Sequence, residues 1–154
     1  MLRIILFTLS LAFACLVWAG SPHVYEKTVS APLEAVYPKL HDALEARKFW
    51  VIFEPNIGRN IAGMAERWGE DYNRQNLTGI RAMAVCNPWY TNQIANKDPS
   101  MLALCPLHVS LYEKDGKTTL LLLLPAAIAG DSPAAAVLEE VQQILVEAID
   151  AAAQ

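Results

Sequence analysis

The dipeptide Asp115-Gly116 separates two apolar segments, residues 107–114 and 117–124. Both central residues of a type I′ turn need positive φ, and an Asp-Gly pair adopts these angles at low cost. The spacing therefore predicts a β-hairpin of two adjacent antiparallel strands. Residues 120–124 are consecutive leucines, and such a run predicts that the second strand is buried on both faces of its sheet.

Further strands and helices are predicted on both sides of this hairpin. β-branched and loosely alternating segments predict strands over residues 23–29, 49–54 and 79–86. Apolar residues at helical spacing predict two long amphipathic helices over residues 33–48 and 134–151. We expect Ser30 to cap the first long helix, and Asp131 or Ser132 to cap the second.

Two shorter helices complete the prediction, over residues 57–68 and from Pro88 to about Ala95, the latter capped by Asn87. Residues 70–76 read as a loop and residues 97–100 as a turn. No repeat or linker divides residues 20–154, which are enough for one core. The element order predicts an α+β fold, a two-layer sandwich with a mainly antiparallel sheet of about five strands and two long helices on one face.

The first residues of the chain predict export. Met1-Leu2-Arg3 is positively charged, residues 4–17 carry no charge, and Val17-Trp18-Ala19 suits a signal-peptidase cut before Gly20. The apolar run of about 14 residues is short for a membrane span of roughly 20. A lipoprotein cut before Cys15 and an uncleaved anchor are the alternatives, and the bulky Phe13 disfavours the first. We expect a periplasmic or secreted protein, cleaved after Ala19 and no longer attached to the membrane.

Charge argues against nucleic acid and anionic membrane surfaces as partners. The chain carries 12 Lys and Arg against 16 Asp and Glu, and loss of Arg3 with the leader leaves 11 basic residues. The basic residues form no cluster, the nearest approach being the isolated pair Arg47-Lys48. A basic stripe, the electrostatic footprint of a nucleic-acid-binding protein, is therefore missing from the sequence.

Two cysteines of the exported part each precede a turn signal, in Cys86-Asn87-Pro88 and Cys105-Pro106. If their strands are antiparallel neighbours, both thiols lie at one end of the sheet, where a disulfide needs a Cα separation of about 4.4–6.8 Å. Closing this loop of about 20 residues would stabilise the fold by roughly 3 kcal/mol. An oxidising compartment favours that structural disulfide.

Metal binding and redox chemistry are the other hypotheses for these thiols. Cys86, Cys105, His108 and Met101 are ligand types that suit copper(I) or zinc, although their spacings match no common motif. Cys86 directly precedes a predicted helix, whose N-terminal dipole would lower its thiol pKa. The two cysteines are nevertheless far apart in sequence, unlike the vicinal pair of disulfide oxidoreductases. No cofactor is predicted.

Aromatic residues beside the first cysteine are interpreted either as core packing, which is favoured, or as the lining of a small cleft. Its candidate residues are Asn87, Pro88, Trp89, Tyr90, Pro106 and His108. His23 and His41 are interpreted as solvated residues, and the acidic side chains around Trp68 as a solvated helix end. No catalytic motif is present. We therefore interpret the chain as a binding or interaction module for an unknown small-molecule or protein ligand, with a thiol- or metal-dependent redox accessory as the alternative.

Four segments resemble motifs of the bacterial domain-of-unknown-function family 302, in an exported subgroup with two cysteines: residues 79–88 (GIRAMAVCNP), Asp98-Pro99, Leu104-Cys105-Pro106 and residues 109–113 (VSLYE). The resemblance extends over about residues 24–149. It implies a small α+β fold that often dimerises, and it implies no activity. Lys48 stands where the first helix of the family usually ends in Gly, and many members carry Pro-Cys in place of Cys105-Pro106.

Assembly as a homodimer through the sheet is the last expectation. Two long helices that pack side by side cover one face of a sheet, and residues 120–124 offer apolar side chains on both faces. Large exposed apolar patches usually mark an interface. In the alternative, a monomer, the helices predicted over residues 57–68 and 88–95 cover the second face.

Overall fold

A computed structural model describes residues 21–154, so the predicted signal peptide and Cys15 lie outside the described residues. The described chain contains one five-stranded sheet in the order β1-β5-β4-β3-β2. All neighbouring strands are antiparallel. The strands are β1 (Val24–Val29), β2 (Trp50–Phe53), β3 (Gly79–Cys86), β4 (Leu107–Lys114) and β5 (Lys117–Leu123).

Two long helices cover one face of this sheet. The helices are α1 (Leu33–Ala46), α2 (Ile57–Ala62), α3 (Ala65–Trp68), α4 (Pro88–Lys97), α5 (Pro125–Ala129) and α6 (Ala135–Ala152). α1 and α6 pack against each other and against the sheet. The architecture is the predicted α+β fold with a two-layer arrangement. None of the helices within residues 21–154 is long and apolar enough to cross a lipid bilayer.

The main core lies between the sheet and the α1–α6 pair. It draws alternate residues from the three inner strands and one stripe from each long helix, as the predicted periodicities require. Its fully buried members include Leu40, Leu44, Met83, Val109, Leu111, Leu120, Leu122, Leu145 and Ile149. A smaller cluster, centred on Ile94 and Leu138, joins α4 to α6. α4 thus extends the helix layer and does not cover the opposite face of the sheet.

The hairpin is confirmed, and the burial expected for its second strand is wrong. Asp115 and Gly116 have φ of 52° and 70°, the positive values that a type I′ turn requires. Leu120 and Leu122 are buried in the core, whereas Leu123 is 41% exposed. The long helices lie on one face only, so alternate leucines point away from them.

The single helix predicted over residues 57–68 is two short helices, and residues 69–71 form a 3₁₀ turn in place of a loop. No residue of α2 or α3 is buried. A longer helix here would lack the tertiary packing that stabilises most helices in proteins, and Gly63 lies at the break. The structure also contains α5 and a 3₁₀ helix at Pro99–Leu104, which the sequence patterns do not predict.

The caps expected for the two long helices are wrong in detail. The N-cap of α1 is Pro32, and the Glu113 carboxylate of β4 accepts a 2.6 Å hydrogen bond from the Leu33 N–H. The N-cap of α6 is Ala134, whose N–H donates to the Ser132 hydroxyl at 3.1 Å. Lys48, after α1, has φ of 62°. This is the left-handed conformation that favours Gly, which accounts for the glycine that the resembled family usually has there.

Candidate functional site

The structure brings Cys86 and Cys105 to the same end of the sheet. Cys86 is the last residue of β3, and Val85 before it pairs with Leu107, the first residue of β4. Both cysteines line one small pocket between the sheet end and α4. Both are free thiols in the structure, without the predicted disulfide. The common location is therefore confirmed, and the bond between them stays a prediction.

A threonine of α4 connects the two thiols. The Thr91 hydroxyl donates a 3.0 Å hydrogen bond to the Asn87 carbonyl, and the Cys86 sulfur lies 3.6 Å from the same hydroxyl. The Thr91 hydroxyl therefore lies within hydrogen-bond reach of the Cys86 thiol while it is bonded to the backbone of α4. Burial raises the pKa of the Cys105 thiol, a hydrogen bond with Thr91 opposes the change, and the neighbouring Cys86 adds to it.

The volume of this thiol pocket is about 10 Å³. A buried water needs at least about 10–15 Å³, so the pocket holds at most one water molecule. A ligand larger than one water molecule therefore cannot lie between the thiols unless the fold opens. The place for a ligand has to be sought beside the pocket.

Asn87 organises the chain next to the thiols, as the sequence predicts. Its side-chain oxygen accepts hydrogen bonds from the N–H groups of Trp89 (2.9 Å) and Tyr90 (3.2 Å), which caps α4. Its amide donates to the Lys48 carbonyl at 3.0 Å. This second bond ties the start of α4 to the turn between α1 and β2. Trp89 is thereby held close to the basic residues that end α1.

A groove of about 400 Å³ opens beside the thiol pocket, and we call it the Trp groove. Its lining residues are Arg47, Lys48, Trp50, Asn87, Pro88, Trp89, Tyr90 and Ile144. Trp50 is 48% exposed and Trp89 is 65% exposed. Two exposed indole rings and two cationic side chains thus line one concave surface. The volume falls in the range of small-molecule sites, about 300–1,000 Å³.

Tyr90 lines both the Trp groove and the thiol pocket, and two contacts hold its side chain in place. Its ring stacks on Phe49 with 5.9 Å between ring centres. Its hydroxyl donates a 2.5 Å hydrogen bond to Glu140 of α6. This bond, together with burial and the negative charge of Glu140, raises the pKa of Tyr90 to about 12. The phenol is therefore neutral at physiological pH and takes no part as a base.

The remaining candidate residues do not lie together in one site. Pro106 lines the thiol pocket and also a cavity of about 100 Å³ that contains His108 and Leu123. Met101 packs near Cys105 in the smaller core cluster. Within residues 21–154, no group of three or more His, Cys, Asp or Glu side chains is arranged to hold a metal ion. His23 is exposed, and His41 is partly exposed, with its Nδ1 3.6 Å from Asp42.

Sequence reasoning missed Arg47, Lys48 and Trp50 as partners of Trp89, and Thr91 as the partner of the thiols. The strand predicted over residues 49–54 contains Trp50, but no pattern indicated that its indole would face the turn after Cys86. The register of β2 with β3, in which Trp50 pairs with Cys86, produces that proximity. The sequence does contain one signal for this site, the Arg47-Lys48 pair. It was interpreted only as an isolated pair of charges.

Comparison with known proteins agrees with this architecture. The model of a family described as "Domain of unknown function DUF302" matches residues 25–152. A crystal structure of an uncharacterized conserved DUF302 protein from Bacillus stearothermophilus superimposes with a TM-score of 0.73. The alignment covers 85% of this chain and 98% of that one, at 18% identity, which shows a shared fold. No curated protein matches the chain.

Proposed function

The chain belongs to the DUF302 family, and from the geometry of the Trp groove we propose that it is a small binding module. The observation that carries the proposal is the exposure of Trp50 and Trp89 in one cavity beside Arg47 and Lys48. Apolar side chains that are exposed together in one concave surface are typical of binding sites. The ligand class that fits is a molecule with a flat apolar body and an anionic group.

Two physical contributions support this ligand class. An aromatic or alicyclic body stacks on an indole ring with a gain of about 0.5–1.5 kcal/mol beyond its buried area. The cations that follow α1 attract an anionic group through their charge, and Lys48 is exposed and so accessible to it. The hydrogen bonds of Asn87 to the backbone of Lys48 and of α4 hold the two sides of the groove in place. A preformed groove lowers the entropic cost of binding.

Fluorescence titration with anilinonaphthalene sulfonate, which has a flat aromatic body and one negative charge, tests the proposal. We expect W89A to bind the dye about tenfold more weakly than the unmodified protein, the loss of one stacking contact. W68A is the matched control, because Trp68 is 42% exposed and does not line the groove. Equal weakening by W68A and W89A, or by neither, would refute the proposal. K48M should also weaken binding and reduce its salt dependence.

A thiol-based redox role is the second candidate, favoured by the shared pocket of Cys86 and Cys105. In such a reaction the two thiols lose two electrons and two protons and form a disulfide, while the disulfide of a partner is reduced to two thiols. The raised pKa of Cys105 lowers its thiolate fraction and so disfavours rapid exchange. Equilibration with glutathione redox buffers separates the two roles. A potential below about −300 mV indicates a structural disulfide, and one near −200 mV a redox pair.

Export with cleavage after Ala19 is part of the same proposal. It rests on the pattern of residues 1–19 and on the two-cysteine motifs, Cys86-Asn87-Pro88 and Cys105-Pro106, of the exported subgroup. Intact-mass measurement of the protein purified from the periplasm tests it. We expect a mature chain that starts at Gly20. A mass that begins at a lipid-modified Cys15, or one that retains Met1, would contradict the assignment.

A further inference from the structure

A second cavity lies at the other end of the sheet, where β3 begins and β4 ends. Its volume is about 410 Å³, within the range of small-molecule sites. The start of α1, the α2 helix and the loop before β3 form its walls. Its lining includes two cations, Arg59 and Arg81, and two carboxylates, Glu34 and Glu113. It shares no lining residue with the Trp groove.

Arg81 is the unusual residue of this cavity. Its side chain is 22% exposed, and its guanidinium carbon lies 3.9 Å from the centre of the Tyr37 ring. Its Nε atom is buried and has no hydrogen-bond partner, and within residues 21–154 this is the one such buried side-chain nitrogen or oxygen. Leaving a buried donor unpaired costs about 1–3 kcal/mol, and more for a charged group. Because this atom is closed to solvent, a ligand in the cavity would contact the exposed part of the guanidinium.

Neither carboxylate of the cavity supplies that acceptor. Glu34 is 84% exposed and its nearest approach to Arg81 is 4.0 Å, a weak surface-type pair. Glu113 is engaged elsewhere: it accepts hydrogen bonds from the Leu33 N–H at 2.6 Å and from the Thr78 hydroxyl at 2.8 Å. The charge of Arg81 is thus balanced only loosely by groups of the protein itself.

The Tyr37 ring, over which the Arg81 guanidinium lies, is uncharged at physiological pH. Burial and a 2.9 Å hydrogen bond to Glu54 raise the pKa of Tyr37 to about 12, although the nearby Arg81 acts in the opposite direction. The phenol ring therefore remains uncharged under Arg81 at physiological pH. A neutral aromatic face stabilises a cation without neutralising it. The positive charge remains available to an anion that enters the cavity.

The walls of the cavity are held by side-chain hydrogen bonds. The Asn73 amide both donates to and accepts from the backbone of Leu77, at 2.9 Å in each direction. The Asn56 side chain accepts from the Arg59 N–H at 2.9 Å and caps α2. Gly79 forms part of the lining, and a Cβ there would come within 3.1 Å of the Leu33 side chain. The cavity is therefore built before a ligand arrives, which lowers the cost of binding.

We propose that this cavity binds the oxyanion of a small organic molecule, a carboxylate or a phosphate, on the guanidinium of Arg81. The planar fork of arginine matches both kinds of oxyanion with two parallel hydrogen bonds. Arg59 adds a second positive charge to the same cavity. Glu34, at 4.0 Å from Arg81, would compete weakly with the ligand for its charge.

NMR titration of the full mature chain with sodium succinate and, separately, with sodium phosphate tests the site. The Nε–Hε resonance of Arg81 reports on a change at its guanidinium. We expect saturable shifts in this resonance, an at least tenfold loss of affinity in R81Q as measured from the cavity amides, and two- to fivefold tighter binding in E34Q, the gain from removing a competing surface-type charge. Binding of succinate alone assigns the site to carboxylates, and binding of phosphate alone to phosphates.

The control variants separate this site from the Trp groove and from a structural role of Arg81. W89A should bind both anions as the unmodified protein does. The backbone amide spectrum of R81Q shows whether the variant is folded, and E34Q, which removes only an exposed carboxylate, gives an independent test if it is not. The proposal is overturned if neither anion moves the Arg81 resonance, or if E34Q binds no more tightly than the unmodified protein.

Discussion

The sulfur of Cys86 and the hydroxyl of Thr91 lie 3.6 Å apart, in a pocket that also contains the free thiol of Cys105. Thr91 thus bonds a thiol at the end of β3 from the first turn of α4. The arrangement places both thiols in one small pocket. Oxidation would replace this polar contact with a covalent bond, at a sheet end where two neighbouring strands meet.

We predict that the exported protein contains one disulfide, between Cys86 and Cys105. C86S or C105S should lower the free energy of unfolding by roughly 3 kcal/mol under oxidising conditions, because the denatured chain regains the entropy of an open loop. Under reducing conditions the same variants should differ little from the unmodified protein. Thiol titration of the denatured, unreduced protein measures the bond directly. Two reactive thiols in that titration would rule the disulfide out.

Asn87 should contribute to stability through its cap and through its link to Lys48. N87A removes the acceptor for the Trp89 and Tyr90 N–H groups and should cost about 1 kcal/mol in urea unfolding. N87D keeps the acceptor and loses only the amide that donates to the Lys48 carbonyl. We expect a smaller loss in N87D than in N87A. Equal losses in the two variants would show that the link to Lys48 dominates, since both variants lack the amide.

Ionisation of Tyr90 should contribute to a loss of stability at alkaline pH. The pKa of Tyr90 is raised to about 12 in the fold, by its hydrogen bond to Glu140 first and by burial second, above an ordinary value near 10. Its stabilising effect is therefore complete below about pH 10 and is lost as the pH rises through about 12. In E140Q the phenolate absorbance should appear at lower pH. E147Q, on the same helix and away from Tyr90, should leave the titration unchanged.

The face of the sheet opposite α1 and α6 should form a homodimer interface. Phe53 is 65% exposed and Leu123 is 41% exposed, and the strand register places both on this face, with Ala84 and His108 between them. Light scattering should give twice the protomer mass, and L123D should give the protomer mass. I128D is the control, since Ile128 is 47% exposed on α5 in the helix layer. A particle of protomer mass without any substitution would contradict the interface.

The sequence predicts the local elements of this protein well, because their causes are local. The turn residues Asp115 and Gly116 demand positive φ, and Asn87 followed by Pro88 starts a helix. The helical stripes of the two long helices are local in the same way, and Leu40, Leu44 and Leu145 are buried on them. The same reasoning gives a wrong prediction for a segment that buries none of its residues. Residues 57–68 have a helical pattern, but no buried face holds them in one helix.

The candidate sites depend on contacts between segments that are distant in sequence. The Trp groove depends on Trp50 and Trp89 lying together, and the second cavity, at the other end of the sheet, depends on Arg81 lying beside Tyr37. Composition and spacing determine the strands and helices, since backbone sterics and hydrophobic periodicity act over a few residues. Which side chains share a cavity is decided by strand register and by which face of the sheet the helices cover, and a shift of one residue in that register would turn each side chain to the other face.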